Sequence, residues 1–168
     1  MPQILSGLNR YAAETVYSPL GQIQRTTSGS APSRLWITNR YHPSTGQLTQ
    51  STSDRETGGP NRISDVSYKY DVAGNITSVA DTRGDGFRQE YGFDSIGNRT
   101  KLIDLDLTEK AHDDETTYKY REDTRPHTLT KVERTTRKPG STVTSLSTHT
   151  YDTSGNAKTC SIGGDTRP

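Results

Sequence analysis

Three copies of one short pattern hold the side chains best suited to chemistry: Asp71-Val72-Ala73-Gly74-Asn75, Asp94-Ser95-Ile96-Gly97-Asn98 and Asp152-Thr153-Ser154-Gly155-Asn156. A carboxylate and a carboxamide four residues apart are oxygen donors of the kind Ca²⁺ takes. Calcium loops, however, gather several such ligands within a dozen residues. Each copy here offers about two, and both already serve a turn: Asp at the first position bonds backbone N–H groups, and Gly at the fourth accepts a left-handed backbone. The turn is the reading adopted, with no metal and no cofactor expected. Asn75-Ile76-Thr77 and Asn98-Arg99-Thr100 are also formal glycosylation sequons, and the turn accounts for their asparagines.

The remaining reactive side chains are scattered. His42, His112, His127 and His149 show no metal-ligand spacing. His112-Asp113-Asp114-Glu115 is the densest titratable cluster and reads as a solvated loop. Cys160, between Thr159 and Ser161, has no evident base beside it. No nucleophile elbow and no phosphate-cradling loop occurs, so no catalytic residue is assigned and the chain is expected not to be an enzyme. The tyrosines Tyr68, Tyr70, Tyr91, Tyr118, Tyr120 and Tyr151 have two readings. Each holds a fixed place in a repeat, as packing between hairpins requires; a row of aromatics on one face would also stack on sugars.

The pattern recurs more widely than its three full copies. Tyr70, Phe93 and Tyr151 lead those copies. Tyr17-Ser18-Pro19-Leu20-Gly21-Gln22 and Tyr41-His42-Pro43-Ser44-Thr45-Gly46-Gln47 are looser ones, the second with one extra residue before its Gly, and a degenerate copy begins at Tyr120. The leading aromatics at 17, 41, 70, 93, 120 and 151 are 24, 29, 23, 27 and 31 residues apart. Such uneven steps mark a repeat set by its turn, with strands and return loops of variable length. Around the turns, residues alternate. Val66, Tyr68 and Tyr70 share a face, as do Phe87, Tyr91 and Phe93, and Ile103, Leu105 and Leu107. Period-two alternation ending at a Gly turn predicts a row of β-hairpins. Return loops fall at Gly58-Gly59-Pro60-Asn61, Gly84-Asp85-Gly86 and Lys138-Pro139-Gly140, and the sole weak helical stretch is Asn9 to Val16.

Composition agrees. Only 26 of the 168 residues are Leu, Ile, Val or Phe; that lies below the roughly 20% at which a chain begins to lack a core. Disorder also expects high net charge, and here it is +1. Ser and Thr supply 43 residues, and nine Tyr accompany two Phe, a mixture that suits half-wet strands. Balanced charge without a basic stripe argues against a nucleic-acid partner. No apolar run approaches a membrane span. Met1 to Val16 lacks a signal-peptide pattern. One cysteine excludes an internal disulfide.

At these repeats the sequence resembles the YD-repeat, or Rhs, proteins of bacterial polymorphic toxins, insecticidal toxin complexes, wall-associated proteins and teneurins. The resemblance runs from about Tyr17 to the end, and Arg125-Pro126-His127-Thr128-Leu129 is similar to the Arg-Pro-His stretch of bacterial members. It implies an all-β array of antiparallel hairpins forming a curved sheet, a fragment of a larger β-shell. Residues 1–16 are a lead-in and 17–168 the repeats. The implied role is a non-catalytic wall that encloses a toxin segment, in a secreted or cell-surface protein. Its partners would be neighbouring repeats and the toxin cargo, with cell-surface glycans as the alternative. The self-cleaving core segment of bacterial members has no counterpart here, so neither cleavage nor toxicity carries over.

Overall fold

The computed structural model describes residues 13–59, 61–81, 83, 86–107, 113–121, 125–163 and 165–167, with side chains through 163. It is all-β and antiparallel, and the described residues contain no helix. Two units are distinguished, Met1–Tyr68 with Asp81–Arg83, and Lys69–Ala80 with Gly84–Pro168.

The first unit contains β1 (Glu14–Tyr17), β2 (Ile23–Ser28), β3 (Leu35–Tyr41), β4 (Leu48–Arg55) and most of β5 (Arg62–Tyr70), paired in chain order. The second holds most of β6 (Ile76–Asp81), then β7 (Phe87–Phe93), β8 (Arg99–Asp106), β9 (Asp113–Tyr120), β10 (Leu129–Lys138), β11 (Ser141–Tyr151), β12 (Ala157–Ile162) and β13 (Asp165–Arg167), again in chain order. Each leading aromatic ends a strand: Tyr17 ends β1, Tyr41 β3, Tyr70 β5, Phe93 β7, Tyr120 β9 and Tyr151 β11. The strand register slips by a bulge at Tyr17, Tyr41, Phe93 and Tyr151, and opposite Tyr120 between Leu129 and Lys131. A bulge lets a five-residue loop close a hairpin while the side chains beyond it keep their face.

One local reading is corrected, and one weak tendency gives way. Asn9 to Val16 is not helical where described, because Glu14–Tyr17 is strand, with β-branched Thr15 and Val16 opposite Thr26 and Arg25; residues 9–12 lie outside the described residues. The acidic run is no loop either. His112 lies outside the described residues, but Asp113, Asp114 and Glu115 open β9. A strand tolerates three acids in a row because they alternate faces and two of them meet cations from neighbouring strands. Arg134 pairs with Asp114, while Lys101 and Arg137 reach Glu115 at 2.9 and 3.1 Å. These partners hold both carboxyls below the usual range, Glu115 first through Lys101 and Asp114 first through Arg134.

No described hydrophobic side chain is buried. The covered side chains are small and polar: Thr52, Ser78 and Thr116 near the middles of their strands, Thr27 toward the end of β2, and Asn98. Within each unit the strands lie side by side in chain order, with no helix or second sheet among the described residues to pack against. Cohesion rests on ladder hydrogen bonds and cross-strand side-chain pairs worth roughly 0.2–1 kcal/mol each. Thr150 and Thr159 form one such pair, their hydroxyl oxygens 2.6 Å apart.

Candidate functional site

The turns carry the most organised polar chemistry in the molecule. In the Asp71 copy, the N–H groups of Ala73 and Asn75 both donate to Asp71 Oδ1 at 2.9 Å, and Asn75 Nδ2 donates to Oδ2 at 3.0 Å. Gly74 N–H closes the turn on the Asp71 carbonyl at 3.1 Å, with φ of 91° at the glycine. Asp94–Asn98 and Asp152–Asn156 repeat the same bonds. In the looser first copy the Ser18 hydroxyl takes the aspartate's place, accepting from Leu20 and Gln22 N–H at 3.2 and 3.1 Å. His42 Nδ1 does so in the second copy, accepting from Thr45 N–H at 3.3 Å. Both carboxylate oxygens of each aspartate are thus engaged by N–H donors. The two sequon asparagines have their Nδ2 groups committed to these aspartates, and Asn98 is 8% exposed.

These donors lower the aspartate pKa values below 3.8. At Asp71 and Asp152 the side-chain amide of Asn75 or Asn156 is the leading cause. At Asp94 desolvation opposes ionisation, and the Asn98 side chain, the Asn98 and Ile96 N–H groups and the nearby His127 outweigh it. A carboxyl with a depressed folded pKa contributes stability that is fully present above its unfolded value, near 3.9, and is lost as pH falls through the folded one. Protection of the Asn75, Asn98 and Asn156 amides against hydrogen exchange, corrected for intrinsic rates, should therefore hold from neutral pH to about 4 and fall below it. Equal protection at about pH 2 and pH 6 would refute that assignment.

The turns are also tied to one another. Gln22 Nε2 donates to the Gly46 carbonyl of the following turn at 2.8 Å. In the second unit Asn98 Nδ2 donates to the Pro126 carbonyl at 3.0 Å, and His127 Nδ1 stands 2.5 Å from Asn98 Oδ1. With the amide oxygen as acceptor, the imidazole must donate there. Arg125 then reaches the Thr153 carbonyl in the next turn. A Cβ on Gly155 would come within 3.0 Å of the Arg125 Nη1, so this glycine serves both its φ of 92° and the arginine's approach. Arg125-Pro126-His127 is therefore a clamp between successive turns, a contact the sequence reading did not anticipate. The signal available was the reach of about one repeat, 28 residues, separating each donor from its acceptor.

The aromatics are tied down as well. Tyr41 donates its hydroxyl to the Ile23 carbonyl at 2.9 Å, and Tyr120 donates to the Arg99 carbonyl at 3.1 Å. Both acceptors are the first residue after the preceding turn. The repeated tyrosines are half-buried; only Tyr17, at 58% exposure, stands well out. Tyr91, Phe93 and Tyr120, with Ile76, Val79 and Arg99, line an open cleft of about 470 Å³. Elsewhere, Cys160 is a half-buried free thiol with His149 directly opposite it on β11, a neighbour that eleven residues of separation did not reveal. Among the described residues no group of three or more His, Cys, Asp or Glu is arranged to hold a metal ion.

No family model and no curated protein matches the chain in sequence. Its structure is similar to solved Tc-toxin chains. One is TcdB2-TccC3 without its hypervariable C-terminal region, with a TM-score of 0.68 and 17% identity over 90% of this chain and 8% of that chain. Two others are the TcdB2-TccC3-Cdc42 complex and the Photorhabdus luminescens Tc holotoxin pore carrying TccC3-D651A. Each has a TM-score of 0.61 and 15% identity over 89% of this chain and 10% of that chain. The chain thus spans a tenth or less of those chains' length. At the level of the fold, this agrees with the resemblance to the YD-repeat proteins.

Proposed function

We propose that the chain is a non-catalytic structural segment of a YD-repeat shell, whose parent protein encloses and helps deliver a toxin or effector domain. The observation that carries this reading is the turn-to-turn clamp. Gln22, Asn98 and Arg125 each direct a side-chain donor to a carbonyl of the succeeding turn. Polar groups used to lock neighbouring hairpins together serve a wall. The tyrosine hydroxyls add to it, since Tyr41 and Tyr120 bridge successive hairpins. Likeness in fold to chains of Tc toxins supports the same assignment, and with it a secreted or surface setting. No helix among the described residues is long and apolar enough to cross a membrane, which says nothing of strands.

The test is protease access in the longer polypeptide expected to carry this segment. A cleavable reporter placed in its effector region should resist cleavage until the β-structure is unfolded. Cleavage at the rate of a free peptide, with the β-structure intact, would dismiss enclosure.

A further inference from the structure

We propose that the outer edge of Ser141–Ser145 on β11 pairs with the same edge of a second copy of this chain, giving a two-fold antiparallel dimer. This goes beyond the scaffold role and can fail without it. β11 meets β10 from Ser141 to Thr148, but β12 joins its other side only from Ser147 onward. Gly163 N–H donates to the Leu146 carbonyl at 2.9 Å, and there the chain turns back to run as β13 on the far side of β12. The first five residues of β11 are left with no neighbour on that side among the described residues, and all five are exposed. The direction of their backbone groups follows from the Gly163 bond. In an antiparallel ladder successive residues point their N–H and C=O to opposite sides. Leu146 points away from β10, so Thr144 and Thr142 do the same. Their two N–H and two C=O groups form a short open ladder of the kind that accepts an added strand.

The sequence of the edge selects its occupant. Ser141-Thr142-Val143-Thr144-Ser145 reads the same in both directions and contains neither charge nor proline. Antiparallel self-pairing about an axis at Val143 sets Thr142 against Thr144 of the second copy, and Thr144 against its Thr142. Each outward N–H and C=O then finds its complement, which completes four backbone hydrogen bonds. Val143, 60% exposed in the chain alone, meets its own counterpart across the axis in the closely spaced kind of cross-strand pair. Like residues face each other at every position, and the absence of charge spares the interface any like-charge contact. The cations at the hairpin tip, Arg137 and Lys138, belong to β10 on the other side of β11, and Arg137 is held by Glu115. A two-fold edge closes at two copies. Five residues a side fall well short of the roughly 20–30 of a standard interface, so the dimer is weak, with a Kd on the order of 100 µM.

Analytical ultracentrifugation of the chain, at a temperature where circular dichroism shows the sheet formed, should reveal a monomer–dimer equilibrium between about 10 µM and about 1 mM. Amide exchange at Thr142 and Thr144 should slow as concentration rises. Val143→Lys places two ammonium groups face to face on the axis, and Val143→Glu two carboxylates. Each should weaken association by about tenfold. An equal mixture of the two variants should dimerise again, since opposite charges then meet on the axis, and that recovery shows that both variants fold. Val72→Lys, at an exposed turn tip away from the edge, should leave association unchanged. No dimer at about 1 mM, growth past two copies, insensitivity to both Val143 substitutions, or a mixture no better than either variant alone would overturn the proposal.

Discussion

Asn98→Ala should loosen two neighbouring hairpins at once. Asn98 is the one buried asparagine of the repeat turns, 8% exposed, and its carboxamide has partners on both sides. Nδ2 donates to Asp94 Oδ2 at 2.8 Å and to the Pro126 carbonyl at 3.0 Å, while Oδ1 receives His127. Truncation removes all three bonds of a covered side chain at once, leaving the half-buried Pro126 carbonyl without its donor and the exposed His127 imidazole to solvent. That penalty is about 2–3 kcal/mol when several bonds fail together. Exchange of the Asp94, Gly97 and Thr128 amides, each hydrogen-bonded in these turns, should accelerate by about thirty- to a hundredfold. Asn156→Ala is the control. Asn156 is exposed and its side chain bonds only Asp152, so its removal should cost about 1 kcal/mol or less, confined to its own turn. Equal effects from the two substitutions, or an Asn98 effect that stops at Gly97, would show that the clamp is not what couples the hairpins.

That contrast also shows where sequence reasoning succeeds. The turn chemistry was legible because it is local. Asp at one position and Gly three residues later set a hydrogen-bond geometry whatever the surroundings, and all three full copies adopt it. Hairpin boundaries were legible for the same reason, since each leading aromatic ends its strand. The clamp was not. Asn98 and Asn156 are the same residue in the same motif, but Asn98 meets the Pro126 carbonyl of the succeeding turn, brought there by the pairing of the strands between, while Asn156 bonds within its own turn and is exposed. Register depends on bulges, and a slip of one residue reverses every face beyond it. The pairing of Cys160 with His149, the acids of β9 spread over two faces, and Arg99 coming to rest over Tyr118 all depend on it too. The weak helical tendency at Asn9 to Val16, too short to hold a helix, yields over Glu14–Tyr17 to strand pairing because a partner strand is present.

The chain by itself should unfold gradually, without the sharp heat absorption of an ordinary domain. Hydrophobic stabilisation and the heat capacity of unfolding both scale with apolar surface removed from water. Here no described hydrophobic side chain is buried, and Leu20 and Val72 at the turn tips are 79% and 109% exposed. A domain of this length would ordinarily show a heat-capacity change of about 2 kcal/mol/K. A single-layer array should show well under half of that, because exposing polar surface lowers heat capacity while little apolar surface is newly exposed. The local ladder still forms, so circular dichroism should report β-structure at low temperature and lose it over a broad range. Cooperativity in such arrays comes from interfaces between neighbours, and ion pairs such as Arg34–Glu56 and Arg62–Asp54 are too exposed to replace it. The half-covered apolar side chains should bind a hydrophobic dye before any unfolding begins. Differential scanning calorimetry of the monomer decides the matter. A narrow, two-state transition with the ordinary heat-capacity change would mean that the layer buries far more apolar surface than this arrangement allows, and that the segment stands as a domain without a shell around it.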